Sequence, residues 1–401
     1  VVQRRPPLAI TPVKQQEQLE AVCDKCRAEG RFAFDTEFVM EDRFETEVCL
    51  IQIASRDSVA IIDPYLDLDL GSVWGLVVDR DVQTVVHAGQ EDLALCVQHT
   101  GKTPHNVFDV QIAAGFTDQS YPLSLQKLVQ TTLHVQLHKS RTLTDWRKRP
   151  LSAEQTRYAA EDVAYLLEAR ERLHNELERR DRLAWAREEF DRFEELSLYR
   201  RAEEEKLLRL KGSGALKGRQ LAVVRELLEW REALAKRFNR PVRTVLKDHL
   251  LVEIARLELD SFQAVRDLRG LNLGDRHVHS LCRAVKKAVK TPREKWPTLA
   301  PRESESSKDA PVIALATAVI RGYCLEAGVA YGLVASKRSI LELVNHVAKG
   351  RPANRKEIEL LNGWRGQAVG AMLEDVLSGR SVITIEARDR ERFVRVAKGD
   401  R

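Results

Sequence analysis

The sequence contains no uninterrupted run of 18 or more apolar residues, so no transmembrane helix and no membrane partner are expected. Its first ten residues, VVQRRPPLAI, include no apolar stretch of signal-peptide length. Cysteine is sparse, with six residues scattered at 23, 26, 49, 96, 282 and 324. Cys23 and Cys26 make one C-x-x-C. No second pair and no His pair follow at zinc spacing, which argues against a zinc site. Cys49 and Cys96 stand in apolar settings and read as small buried hydrophobes. This usage fits a reducing compartment, so a cytoplasmic location is expected. No G-x-x-x-x-G-K-[ST] occurs, which argues against a P-loop motor or helicase. A large net charge is also missing, since 65 basic residues nearly balance 60 acidic ones at +5.

What the chain does have is uneven charge. Residues 1–200 hold 25 basic and 34 acidic residues, a net −9, whereas residues 216–295 hold 19 and 10, a net +9. An acid-rich half beside a basic module suggests a metal-bearing site joined to a polyanion-binding surface. The plain alternative is ordinary solvated charge. At 401 residues the chain exceeds one typical core, so two or three domains are expected.

The N-terminal part reads as alternating strands and helices. Residues 15–29 form an amphipathic pattern closed by Gly30. Strands are expected at 31–38, 47–54, 59–62, 84–87 and 106–109, with helices between them, in an α/β layered domain. Ser152 and Gln155 form a capping box that opens a long helix. Gly212-Ser213-Gly214 is a linker, and 216–292 is helical. Residues 296–311 are rich in Pro, Ser and charge and read as a second linker, and 312–379 is helical again. The expected domains are therefore 1–211, 212–295, a linker at 296–311, 312–380 and a charged tail at 381–401.

The chemistry centres on Arg31-Phe32-Ala33-Phe34-Asp35-Thr36-Glu37-Phe38. At strand period, Asp35 and Glu37 share the face opposite the phenylalanines, about ~7 Å apart. Two carboxylates so placed are costly to bury without a cation, and hard divalent ions favour carboxylate oxygens. A strand end where both acids meet water is the competing reading. Asp92 lies in the first turn of the helix after the 84–87 strand, where it either serves a site or only satisfies the helix dipole. Tyr158 and Asp162 are four apart on the capped helix and share a face. Four carboxylates in an oxygen-only site suit two Mg²⁺ or Mn²⁺ ions. Such a pair clamps the attacking and leaving oxygens in phosphodiester hydrolysis.

These motifs, FAFDTEF, VVHAGQEDLALC and RYAAEDVAYLL, resemble those of the DEDD superfamily of 3′→5′ exonucleases, in its Tyr-bearing branch, and within it the ribonuclease D family. The stretches FDVQIAAGF, YPLSLQKLV and DWRKRPLS are similar to that family too. The resemblance implies a ribonuclease-H-like N-terminal domain, a mixed sheet flanked by helices. It implies that Asp35, Glu37 and Asp162 bind one metal, that Asp35 bridges to a second which Asp92 contacts through water, and that Tyr158 positions the nucleophile. Residues 216–257 and, more weakly, 312–379 resemble the helicase-and-ribonuclease-D C-terminal (HRDC) module, implying two in tandem. The expected activity is 3′→5′ hydrolysis of RNA to nucleoside 5′-monophosphates, with tRNA precursors as substrate and a monomeric enzyme. A DNA 3′→5′ exonuclease and a non-catalytic nucleic-acid scaffold are the alternatives. Trp146, Arg147, Lys148 and Arg149 are expected to border the strand's entry path and grip phosphates. A basic loop around a buried Trp anchor is the other reading of that cluster.

Overall fold

A computed structural model describes residues 9–398 apart from 41–42, 119, 139–143, 200–205, 208–209, 298–306, 350–354 and 389–390. Strand β2, Arg31–Val39, starts buried on both faces and ends with Asp35, Glu37 and Phe38 half-buried. It lies inside a six-stranded sheet of order β1-β4-β3-β2-β5-β6. The other strands are β1 (Ala9–Val13), β3 (Glu47–Ala54), β4 (Ser58–Ile62), β5 (Gln83–Val86) and β6 (Val107–Asp109). β1 runs parallel to β4, β3 antiparallel to β4, and β2, β5 and β6 are mutually parallel. The sheet is thus mixed, as expected. β3 and β4 are apolar and buried along almost their whole length, the pattern of strands covered on both faces.

Helix α1, Gln16–Glu29, opens on a capping box between Gln15 and Gln18 and ends at Gly30, whose φ of 67° suits a residue without Cβ. Helix α2 covers Gly71–Val77, and α3 covers Gln90–Thr100. The β5–α3 turn is tight. A Cβ on Gly89 would meet the Val86 side chain at 2.5 Å, so only glycine fits there. Helix α4, Val110–Gly115, and α5, Leu125–Leu133, follow. The long helix expected from residue 153 is two: α6, Ala153–Ala164, and α7, Leu166–Arg179, offset at Tyr165. α8 covers Leu183–Asp191.

The chain divides into two compact units. The first comprises 1–36, 50–195 and 303–401. Its last segment contains the helices Asp309–Ala327, Lys337–Lys349 and Ala371–Leu377. It is cored against the sheet domain. Trp364 is fully buried, edge-on to Phe116 and stacked on Trp185. Its indole Nε1 donates to Glu189 Oε1 at 2.7 Å, and the Arg365 guanidinium donates to the same oxygen. Ala330 N donates to Gly115 O at 2.8 Å. By length and composition the Asp309–Ala327 helix could span a bilayer, a feature the expectation of no such helix missed. Here Ile313, Ala316, Val319, Ile320 and Cys324 are buried on one face, while Val312, Leu315 and Leu325 are exposed. The tail, whose structure the sequence left open, pairs as an antiparallel hairpin, β7 (Ser381–Arg388) with β8 (Glu391–Lys398).

The second unit comprises 37–49 and 196–302. Its core lies between the helices Arg219–Phe238, Asp248–Leu257 and Asp275–Val289, with Val224, Leu227, Leu251, Ile254, Val278 and Leu281 at its centre. Buried Arg231 donates to Leu246 O and to Asp248 Oδ1. Asn239 ends the first of these helices, and its Oδ1 accepts from Phe44 N and Glu45 N.

Candidate active site

Carboxylate oxygens of Asp35, Glu37 and Asp162 lie within 4.8 Å of one another. Strand period places the first two on one face of β2, and α6 brings the third over them. All three side chains are half-buried. Three negative groups this close repel strongly unless a cation or protons intervene. Burial, offset in part by the Tyr158 hydroxyl and added to by Glu161 and Asp92, pushes the Asp162 carboxyl up to about 7. The donor set is all oxygen and acidic, which fits hard divalent ions.

Asp92 stands apart from that oxygen cluster and is buried. Its Oδ1 accepts the Thr36 backbone N–H at 3.0 Å and the Thr36 hydroxyl. Thr36 lies between Asp35 and Glu37 but points to the other face. One strand therefore places two acids and grips a third. Burial pushes Asp92 up to about 6 against these hydrogen bonds.

A further residue, which sequence reasoning quoted in FDVQIAAGF but gave no role, holds Asp92's helix. Asp109 is buried at the end of β6. Its carboxylate accepts from Ala88 N and Gly89 N at 3.2 and 3.1 Å, in the turn that starts α3. It also caps α4 through Gln111 N and Ile112 N. Burial raises its pKa, opposed first by His87 and then by these N–H groups. The only local signal was an Asp at a strand-to-helix junction, an N-cap pattern.

Tyr158 lies one turn before Asp162, and its hydroxyl hydrogen-bonds the Asp162 carboxylate. Trp146 is buried, and its ring is 6.0 Å from that of Tyr158 at 34°. Of the basic residues beside it, Arg149 is engaged by the protein. Its Nε and Nη2 donate to Asp63 at 2.5 and 2.8 Å, and its guanidinium lies over the Tyr65 ring. Lys148 is exposed and Arg147 half-buried. Glu161, beside Asp162, accepts from His138 N at 3.1 Å and so ties down the segment after α5.

A 3′-5′ exonuclease family profile matches residues 10–178, which hold all five of these motif residues, and an HRDC domain profile matches residues 220–276. The chain is 32% identical to ribonuclease D of Bartonella henselae over 92% of its own length and 90% of that protein's. It is 31% identical to ribonuclease D of Sphingobium indicum, over 93% and 96%. The crystal structure of Escherichia coli RNase D, described as an exoribonuclease involved in structured RNA processing, superposes with a TM-score of 0.78 at 27% identity. It covers 93% of this chain and 99% of that one. With this likeness running along nearly the whole chain, and with the acidic cluster inside the exonuclease match, the protein belongs to the ribonuclease D family of 3′→5′ exoribonucleases.

Proposed function

We propose that the protein trims the 3′ ends of tRNA precursors, using two divalent ions, Mg²⁺ or Mn²⁺. The observation that carries this reading is the meeting of Asp35, Glu37 and Asp162 oxygens within 4.8 Å. These three residues would hold one ion, and Asp35 with Asp92 would serve the second. Bound there, such ions supply a water of lowered pKa and neutralise charge on the phosphate oxygens.

The chain's own residues do the rest. Thr36 holds Asp92 in one orientation, and Tyr158, hydrogen-bonded to Asp162, holds a hydroxyl where the attacking water is to be oriented. Trp146 packs beside Tyr158 and keeps that ring in place. Exposed Lys148, with Arg147 beside it, is assigned to meet phosphates, while Arg149 anchors their loop to Asp63. Their contribution is to affinity and register, not sequence readout.

The basic 216–295 module is assigned the body of a structured RNA. Arg231 and Arg219 are engaged inside it, by Asp248 and Glu258. The exposed Lys236, Arg237 and Arg240 are the better phosphate contacts. We read 312–380 as a second, divergent HRDC-type module, on the likeness of its helices and glycine punctuation to the first. We place the monomeric enzyme in the cytoplasm, in keeping with six free, buried cysteines.

The test is digestion of a 3′-extended tRNA precursor, an unstructured RNA and a matched DNA strand, all end-labelled, with Mg²⁺ or Mn²⁺. Trimming of the precursor that stops at the duplex stem is expected, with DNA much slower. Equal rates on RNA and DNA would favour the DNA-exonuclease reading, and no preference for the precursor would remove the tRNA assignment.

A further inference from the structure

A cleft of about 320 Å³ opens at the amino-terminal ends of β5 and β6, with Arg80, Gln83, Phe108, Arg170, Arg187 and Asp191 in its walls. It is not the carboxylate site. Arg31 stands level with Gln83 where β2 pairs with β5. Asp35 lies four residues further along, about ~13 Å at ~3.3 Å per residue.

The cleft is built around arginines. Arg170 lies over the Phe108 ring, 5.3 Å from its centroid, and its side chain is only 11% exposed. Its Nε donates to the neutral Gln83 Oε1 at 2.8 Å. The nearest carboxylate, Glu171, is 3.6 Å from its Nη1 and is itself paired to Arg31. An arginine this buried ordinarily has a close anionic partner. Arg187 is exposed and has no ion pair among the described residues, and Arg80 reaches Glu194 only at 3.9 Å and the His105 ring nitrogen Nε2 at 3.4 Å. Two acids, Glu194 and Asp191, also line the cleft. Glu194 already accepts from His105 Nδ1 at 2.7 Å and from Asn106 N. Burial and Glu194 raise the Asp191 pKa from its ordinary value, opposed by Arg187, with which Asp191 makes no ion pair among the described residues. Three guanidinium groups therefore line one cleft with no carboxylate at hydrogen-bond distance among the described residues, and their planar forks suit phosphate oxygens. Phe108, Phe190 and Leu183 give the cleft an apolar wall, and its volume is that of a small-molecule site.

We propose that this cleft is a second, non-catalytic phosphate site, held by Arg80, Arg170 and Arg187 and accepting a phosphate ester up to the size of a mononucleotide. The phosphate belongs either to a free nucleoside 5′-monophosphate or to an RNA strand, and the two are separable by experiment. The full chain is titrated calorimetrically in chelator with inorganic phosphate, adenosine 5′-monophosphate, adenosine and a six-nucleotide RNA. The same titrations are run on Arg187→Gln and Arg80→Gln, two exposed positions whose thermal midpoints should match wild type.

Saturable binding of phosphate and of the monophosphate is expected, with none for adenosine. Each substitution should weaken it by about tenfold, the effect of losing one charge-assisted hydrogen bond. If RNA binding weakens in parallel, the strand is the occupant. If only monophosphate binding weakens, the free nucleotide is. Absence of saturable binding, adenosine binding as well as its monophosphate, or affinities unchanged in both variants would overturn the assignment.

Discussion

Thr36 gives both its backbone N–H and its hydroxyl to one oxygen of Asp92, joining the strand that carries Asp35 and Glu37 to the helix that carries the fourth acid. Thr36→Val keeps the shape and the backbone bond but removes the hydroxyl. In a buried setting the loss of a hydrogen bond to a carboxylate costs about 1.5–3 kcal/mol. Turnover on a 3′-labelled oligoribonucleotide should fall about tenfold or more, and Thr36→Ser should restore most of it. Wild-type turnover in the valine variant would make the contact incidental.

Tyr158 supports a different kind of test. Its hydroxyl bonds Asp162 and is assigned to orient water. Tyr158→Phe should lower kcat by about ~10²-fold, as for loss of a positioning or proton-handling group, with KM and Mn²⁺ affinity little changed. A phenylalanine variant that turns over normally would reduce Tyr158 to a packing partner of Trp146.

The acidic cluster should make metal stabilisation depend on pH. Folded Asp162 and Asp92 titrate near about 7 and about 6, against 3.8 for the free group. The metal-free protein therefore holds more protons than its unfolded chain between roughly pH 4 and 7, and it loses stability as pH rises through that window. Bound cations remove the penalty of ionising these groups. The Tm difference between Mn²⁺ and chelator should be small at pH 5 and grow through pH 7.5. A difference independent of pH would place the metal elsewhere.

Residues 303–401 should matter to the stability of the sheet domain. Arg365 is buried and donates to Glu189, Leu333 O and Val334 O. Arg365→Met leaves buried Glu189 paired only with the more exposed Arg192, at 3.1 Å, a loss of up to about 3 kcal/mol, read as a lowered urea midpoint. Residues 1–211 alone would expose Phe116 and Trp185 where Trp364 now packs, so that fragment should be poorly stable. An unchanged midpoint in Arg365→Met would show that the two segments are energetically independent.

Much of this site is legible from local pattern. Strand period put Asp35 and Glu37 on one face, and the capping box of Ser152 and Gln155 forms as written, at 3.1 and 2.9 Å. Other features depend on contacts far along the chain. β1 exists because Ala9–Val13 finds β4, some fifty residues on, and its own sequence, with Pro12, carries little strand signal. The break at Tyr165 has no Gly or Pro to announce it. Thr36 and Asp109 act through partners 56 and about 20 residues away, so neither role could be read locally. Trp364, within the 312–379 helical segment, completes an aromatic cluster with Phe116 and Trp185, contacts far apart in sequence that no local pattern announces.

The central claim is that the Asp35, Glu37 and Asp162 cluster, loaded with divalent ions, cleaves RNA from its 3′ end. The most direct measurement is release of nucleoside 5′-monophosphate from a 3′-labelled RNA by wild type and Asp35→Asn, with and without excess chelator. Processive or stepwise shortening from the 3′ end is expected for wild type with Mg²⁺ or Mn²⁺. Loss of at least ~10³-fold is expected in the variant and in chelator, with the fold retained by circular dichroism. Hydrolysis that persists in Asp35→Asn, or in wild type under saturating chelator, would contradict the account.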